Sequence, residues 1–283
     1  MTLAEALREA SARLLKAGVD DPRLEAEVLL GHALDVEREK LFTRLQEPLG
    51  LQLQASYEAF VDRRMAHEPT AYIIGRREFF GLEFACSPAA LIPRPETELL
   101  VETAIEQFRA GRSVLAVDVG TGSGAIAVSL ATHMPQARIV ATDISARALA
   151  LAQRNALAHC VDGRIVFIRG SLFEPLSGRF DLITANLPYI PSRTYNALPP
   201  EIREHEPEAA LRAGRRGTAI IEAMLSQAFD RLAPGGLLLA EHGWNQGRRL
   251  REAAADHFPT ADIATRRDLA GLERLLVVQT ARD

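Results

Sequence analysis

Three stretches of this chain carry side chains whose types and spacing could do chemistry: "DVGTGSGAIA", "ATDIS" and "TANLPYIPS". In the first, Gly120, Gly122 and Gly124 let the backbone turn tightly and approach a ligand without Cβ interference. They open a helix whose N-terminal amides favour a carboxylate or phosphate. Taken alone the pattern is ambiguous, because Gly120, Gly122 and Ala125 also satisfy the G-x-G-x-x-G/A spacing of dinucleotide enzymes, and a plain tight turn uses glycine too. About twenty residues on comes Asp143, where a carboxylate suits the hydroxyls of a ribose. Its other use, capping the next helix, can be filled by Ser145. Ser171 in "RGSLFEP" either meets an adenine edge, through its side chain or the adjacent amide of Leu172, or forms a turn and nothing more.

The third stretch follows "RFDLI", which reads as a buried strand, and places Asn186, Leu187, Pro188 and Tyr189 where a sheet turns into a loop. Hydride transfer has no evident use for that set, whereas methyl transfer to a planar NH2 group does. Such a nitrogen has a delocalised lone pair and must be held rather than deprotonated. If the Asn186 side-chain oxygen and the Leu187 carbonyl each accept one N–H, the lone-pair face is fixed toward a methyl donor while Tyr189 packs on the flat group. Pro188 fixes the loop and offers no competing N–H.

The elements that must position these residues follow from patterning. Thr2 with Glu5 forms a capping box, and Leu3, Leu7, Ala10, Leu14 and Leu15 then share one helical face until Gly18. A second helix is predicted with Asp21 as N-cap and Pro22 at its first position, and a third over Leu51 to His67. Residues 1–70 therefore read as a small helical bundle, and 71–95 as a β-hairpin or extended connector turning at Gly81. From 96 to 283 helices alternate with strands. A helix is predicted at Glu96 to Arg109, and strands at Val114 to Val119, Arg138 to Thr142, Arg164 to Arg169, Phe180 to Thr184, Leu237 to Glu241 and Leu275 to Gln279. Near-continuous apolar strands alternating with helices imply an α/β, doubly wound, mainly parallel sheet, whose ligands bind beyond the carboxyl ends of the strands.

Composition narrows the function classes. The 283 residues exceed a usual single domain, 47% are hydrophobic and 25% charged, and the apolar runs are strand-sized rather than membrane-spanning. The start lacks a basic, then apolar, leader pattern, which leads us to expect a cytoplasmic protein. A net charge of −4 gives no general attraction to nucleic acid, although a local basic face remains compatible with it. Cys86 and Cys160 read as buried small hydrophobes, and the scattered histidines give a metal site no support.

Over nearly its whole length the chain resembles the release factor glutamine methyltransferase family. The resemblance runs through "DPRLEAEVLLGHAL", "EPTAYIIGRREFFGLEF", "LIPRPETELLVE", "DVGTGSGAIAVSLA", "ATDISARALALAQRNA", "FDLITANLPYIP", "EHEPEAAL" and "RDLAGLERLLVV". It implies a seven-stranded Rossmann-like methyltransferase sheet behind a helical substrate-recognition domain. It also implies methyl transfer from S-adenosylmethionine, leaving S-adenosylhomocysteine, to the Gln side chain of the Gly-Gly-Gln motif in class I peptide chain release factors. By this similarity Gly120, Thr121, Gly122, Ser123, Gly124 and Asp143, with Ser171 and Leu172, bind the cofactor, and Asn186 touches both cofactor and substrate. Asn186, Pro188 and Tyr189 become the catalytic set, and Leu187 to Tyr189 shape the glutamine pocket. No metal, membrane or direct nucleic-acid contact is implied. Arg94 and Thr97 either lie near the cofactor or make a rigid interdomain turn, and Glu206 and Pro207 read as structural. The sequence departs from the family pattern at Leu187, usually Pro, and Ser171, usually Asp. The N-L-P-Y form also recurs in adenine N6 methyltransferases acting on ribosomal RNA, the rival enzyme; the negative charge and the amino-terminal position of the helical bundle count against it. A cofactor-binding module without turnover is the reading from another class, with Leu187 and Ser171 as its only hints.

Overall fold

The computed structural model describes residues 1–108 and 113–282. In chain order the elements are α1 (Leu3–Lys16), α2 (Pro22–Leu34), α3 (Arg38–Leu41), α4 (Leu51–Met65), α5 (Thr70–Ile74), β1 (Arg76–Phe79), β2 (Leu82–Ala85), α6 (Glu98–Gln107), β3 (Val114–Val119) and α7 (Ala125–His133). They continue with β4 (Ala137–Asp143), α8 (Ala146–Ala158), β5 (Ile165–Arg169), β6 (Phe180–Ala185), α9 (Ser192–Tyr195), α10 (Pro200–His205), α11 (Ala219–Ala228), β7 (Leu232–Glu241), α12 (Gly247–His257), β8 (Asp262–Arg267) and β9 (Glu273–Gln279). The chain divides into two compact units, Met1–Arg76 with Pro199–His205, and Arg77–Leu198 with Glu206–Asp283.

The first unit is helical. The capping box at Thr2 and Glu5 forms as its spacing predicts, and Leu3, Leu7, Ala10 and Leu14 enter a core with Ala26, Leu29, Leu30, Tyr57 and Val61. Leu15 does not join them: it is 66% exposed, one residue round the helix from the buried stripe, and Ala6 takes the inner position instead. Asp21 precedes α2 in a left-handed conformation and makes no side-chain cap, so Pro22 at the first position carries the start. The segment around α10 belongs to this unit because Arg64, almost fully buried, donates to Glu25 (3.1 Å) and to Glu201 (2.6 Å).

In the second unit the hairpin turns at Phe80 and Gly81, both with positive φ, as a two-residue connection between right-twisted strands requires. The main sheet has seven strands in the order β5-β4-β3-β6-β7-β9-β8. β3 pairs in parallel with β4 and β6, β6 with β7, and only β9 runs against its neighbours. Alternate residues of β3 feed opposite cores: Val114 and Ala116 pack with α6 and α7, whereas Val117 and Val119 pack with α11 and α12. The sheet is therefore doubly wound, and its order reverses between β3 and β6.

The strand at Asp262–Arg267 escaped the sequence reading because it is a mostly exposed edge, without the apolar run that marks the central strands. The helix at Thr70–Ile74 falls inside the stretch read as connector, because its one turn is too short to show a period. The predicted helix over Glu96 to Arg109 begins as a 3-10 turn at Pro95–Thr97 and continues as α6; Arg109 lies outside the described residues. Cys86 is buried as expected, but Cys160 is exposed on the turn after α8, where it adopts positive φ.

Candidate functional site

The loops after β3, β4, β5 and β6 leave the sheet on one rim, where the strand order reverses. After β3 the amides of Gly120 and Thr121 both donate to the Thr142 carbonyl (2.9 Å each), which pins the glycine loop to the end of β4. Gly120, Gly122 and Gly124 all have positive φ, and two of them are also required by space. A Cβ at Gly120 would stand 2.8 Å from Leu187 Cδ2, and one at Gly124 would stand 3.0 Å from the Ala152 Cβ on α8. Asp143 closes the loop from the other side: one carboxylate oxygen accepts from Gly122 N (2.9 Å) and the other from Ser145 N (2.8 Å). Ser145 caps α8 by accepting from Ala148 N, which leaves Asp143 free of the capping role. Ser171 and Leu172 follow β5, with Leu172 at positive φ and its carbonyl accepting from Thr142 Oγ1 (3.3 Å).

Two residues that sequence reasoning passed over complete this cradle. Asn155 on α8 is buried and donates to the Ser123 carbonyl (2.8 Å), while its oxygen accepts from Ala85 N (2.9 Å), so it ties the glycine loop to the hairpin. Asp118, one strand position before the loop, is fully buried. Burial pushes its carboxyl up to about 6; the neighbouring Thr121 hydroxyl offsets part of that without reaching hydrogen-bonding geometry, and Thr184 donates to Oδ1 at 2.9 Å. Asp118 Oδ2 and Thr121 Oγ1 are thus buried polar atoms without a hydrogen bond of ordinary geometry, next to the glycine loop. An ammonium group brought to that point would satisfy the carboxylate, and a ribose hydroxyl pair would meet Asp143. The donor set therefore fits an amino-acid-bearing nucleoside such as S-adenosylmethionine.

Beyond β6 the loop 186–189 is braced by a chain of hydrogen bonds that runs from half-buried Asn186 and Tyr189 to buried Thr97 and Glu241. Asn186 Nδ2 donates to Thr97 Oγ1 (2.9 Å), Thr97 Oγ1 donates to Glu241 Oε2 (2.6 Å), and Tyr189 Oη donates to Glu241 Oε1 (3.0 Å). With Glu241 ionised, its carboxylate only accepts, so the single Thr97 proton points to Glu241, and Thr97 then accepts from the Asn186 NH2. That polarity turns Asn186 Oδ1 away from Thr97 and leaves it to accept from a ligand. Burial raises the carboxyl pKa of Glu241, opposed by the two hydroxyl donors and by Arg274 and reinforced by Glu96. Burial, then the Glu241 charge, pushes the Tyr189 phenol up as well, so it stays protonated and donating.

Thr97 is thus joined to the 186–189 loop through Asn186 (2.9 Å), whereas Arg94 is not. Arg94 pairs with the buried carboxylate of Glu206, which also accepts from Ile92 N (3.1 Å). Leu187 is buried with its side chain against Gly120, so position 187 contributes packing in addition to any backbone carbonyl. Glu241 had a legible signal, an acidic residue at the end of the apolar run "GLLLAEHG"; the pairing with residue 97, from a distant segment, had none.

Residues 5–75 match the family described as the PrmC N-terminal domain, and residues 95–198 match the methyltransferase small domain. The release factor glutamine methyltransferase of Moorella thermoacetica is 44% identical over 255 residues, covering 90% of each chain. That of Nitratidesulfovibrio vulgaris is 42% identical over 281 residues, covering 97% of this chain and 94% of the relative. Among solved structures, the ribosomal protein L11 methylase of Lactobacillus delbrueckii subsp. bulgaricus shares the fold, with a TM-score of 0.51 at 22% identity over 69% of this chain and 83% of that one.

Proposed function

The chain belongs to the release factor glutamine methyltransferase family, and from that premise we propose how its own residues carry the reaction. It is an S-adenosylmethionine-dependent protein-glutamine N5 methyltransferase whose substrate is a release factor. The adenine-methylating alternative is not favoured by these relatives. The acceptor in this proposal is the Gln of the Gly-Gly-Gln motif of class I factors, and the protein acts in the cytoplasm, where translation termination occurs.

S-adenosylmethionine supplies, when bound, a methyl group already activated on a sulfonium, so we assign no role to a metal or to a covalent enzyme intermediate. Gly120 to Gly124 give the cofactor close access to backbone amides, with Thr121 and Ser123 between the glycines. Asp143 holds its ribose, Asp118 its ammonium, and the segment at Ser171 and Leu172 its base. Asn186 Oδ1 and the Leu187 carbonyl accept the two N–H groups of the glutamine amide, so that its nitrogen presents its lone-pair face to the methyl carbon. Pro188 keeps the loop from competing as a donor, and the Tyr189 ring, moored through its hydroxyl to Glu241 (3.0 Å), covers the amide plane. Catalysis rests on orientation and on exclusion of water. The helical unit supplies grip on the release factor away from the reacting side chain.

The observation that carries this reading is the Asn186–Thr97–Glu241 relay, which leaves an amide oxygen, rather than an amide NH2, to meet the acceptor. Asn186→Ala tests it. Turnover on a release factor should fall far more than cofactor affinity; equal losses in both would mean that Asn186 chiefly binds cofactor.

A further inference from the structure

Beyond the glutamine pocket the same rim carries a basic cleft of about 780 Å³, lined by Pro191, Ser192, Arg193, Arg215, Arg216 and Arg249 together with Thr218, Asn245 and Gln246. That volume is in the range of sites that take a drug-sized ligand. The chain carries a net charge of −4, yet no carboxylate lines this cleft among the described residues. Arg249 is balanced by Glu222 (3.1 Å) and donates to Thr218 Oγ1 (3.1 Å). Arg193, Arg215 and Arg216 are exposed, and none of them forms an ion pair among the described residues.

The cleft is built onto the catalytic loop rather than lying beside it. Ile190 N donates to the Leu211 carbonyl (2.9 Å), Ala213 N to the Ile190 carbonyl (2.9 Å) and Ser192 N to the Gly214 carbonyl (2.7 Å), so the strand-like segment that leads to Arg215 is zipped to the residues after Tyr189. On the far side of the arginine turn Gly217, at φ +80°, comes so close that a Cβ would stand 2.3 Å from the Tyr189 carbonyl. Buried Gln246 donates to that same carbonyl (2.9 Å) and accepts from Gly243 N (2.8 Å). The backbone that carries the arginines is therefore tied to the loop at residues 189–192.

We infer that this cleft, set by Arg193, Arg215 and Arg216, docks an acidic segment of the release factor polypeptide near its acceptor glutamine. The inference rests on the reading of residues 186–189 as the glutamine site. A polypeptide threaded past Tyr189 meets Pro191 and Ser192 next, and the cleft then offers guanidinium groups for carboxylates and the Ser192, Thr218 and Asn245 side chains for a peptide backbone. A nucleic acid is the poorer fit, because three unpaired arginines fall short of the phosphate contacts that sustain RNA or DNA binding.

The test uses the full chain and its Arg215→Glu/Arg216→Glu variant, with Arg215→Ala/Arg216→Ala as the milder second, in steady-state methylation of a purified class I release factor at low and high salt. The expected result is a KM for the factor raised roughly tenfold, kcat and cofactor affinity retained, and a salt dependence of KM that is steep in the wild type and flattened in the variants. Trp244, the sole tryptophan, is 60% exposed and adjoins Asn245, so its fluorescence should also respond to poly-glutamate in the wild type and not in the variants. An unchanged KM overturns the inference, as does a joint loss of kcat and cofactor affinity, which would make the turn merely structural. Competition by poly(U) that the variants abolish while their KM stays normal would assign the cleft to nucleic acid instead. Failure of the wild type to methylate the factor at all would sink the functional reading and is distinguishable from each of these.

Discussion

Replacing Thr97 by Val changes almost no volume and removes one hydroxyl from the centre of the relay. Thr97 is 3% exposed and Glu241 2%, so water does not readily take the hydroxyl's place. Two interactions disappear: the bond from Asn186 Nδ2 (2.9 Å) and the charge-assisted bond to Glu241 (2.6 Å). The first is what distinguishes the two orientations of the Asn186 amide. Losing it removes the anchor that holds Asn186 Oδ1 on the acceptor; loss of about 1–3 kcal/mol of that hydrogen bonding in the transition state lowers turnover by roughly 5- to 160-fold. The second loss leaves a buried carboxylate oxygen unpaired, at a cost of about 1–3 kcal/mol in stability, and several degrees in Tm. The glycine loop and Asp143 are untouched, so cofactor affinity should stay within about threefold, a difference below 1 kcal/mol. Single-turnover methyl transfer to a release factor, with calorimetric titration of the cofactor, separates the two quantities, and Thr97→Ser should restore most of the rate. A folded Thr97→Val protein that turns over at the wild-type rate, or one that loses cofactor affinity in proportion to rate, would refute the positioning argument.

The relay also predicts a pH dependence. Burial holds the Glu241 carboxyl above the ordinary glutamate range, and only its ionised form fixes the polarity that frees Asn186 Oδ1, so kcat should fall as pH is lowered through that raised pKa. In Glu241→Gln this acid limb should vanish from the kcat profile; an unaltered limb would assign it to another group. For Asp118 the folded pKa of about 6 lies above the unfolded value, so the carboxylate weakens the fold as pH rises through that range. Asp118→Asn should therefore melt higher at pH 8, by up to about 3 kcal/mol, with the difference gone below about pH 4, while cofactor affinity drops. Equal cofactor affinity in wild type and variant would remove Asp118 from the binding site. Gly124→Ala must push a methyl to 3.0 Å from Ala152 at a positive φ, and should cost about 1–3 kcal/mol in stability together with a large loss of cofactor binding, both visible in a melting assay with and without cofactor.

What the sequence disclosed follows from the range of the forces involved. The strand at Val114–Val119 is readable because its buried apolar run and the glycines after it are local, and the same holds for the capping box at Thr2 and the turn at Gly81. The edge strand at Asp262–Arg267 is not, since one face is exposed and the other only half-buried, which leaves no apolar run. At the site, the glycine loop, Asp143 and the 186–189 loop each announce themselves through residue type and position relative to a strand end. The relay could not be foreseen: Thr97, Asn186 and Glu241 come from three distant segments, and although each could be noticed alone, nothing local signals their pairing. Arg94 shows the converse, because the same "PRPETE" segment that sends Thr97 to Asn186 and Glu241 sends Arg94 to an ion pair with Glu206. Leu187, expected to contribute its carbonyl and help shape the pocket, also fills the space left by Gly120.

The most direct test of the central claim is transfer of labelled methyl from S-adenosylmethionine to a purified class I release factor, run beside the Gln-to-Ala variant of its Gly-Gly-Gln motif and beside ribosomal RNA. Label on the intact factor alone is the predicted result. Label on the Gln-to-Ala variant or on RNA would contradict the account, because the loop at Asn186 would then be holding some other planar nitrogen.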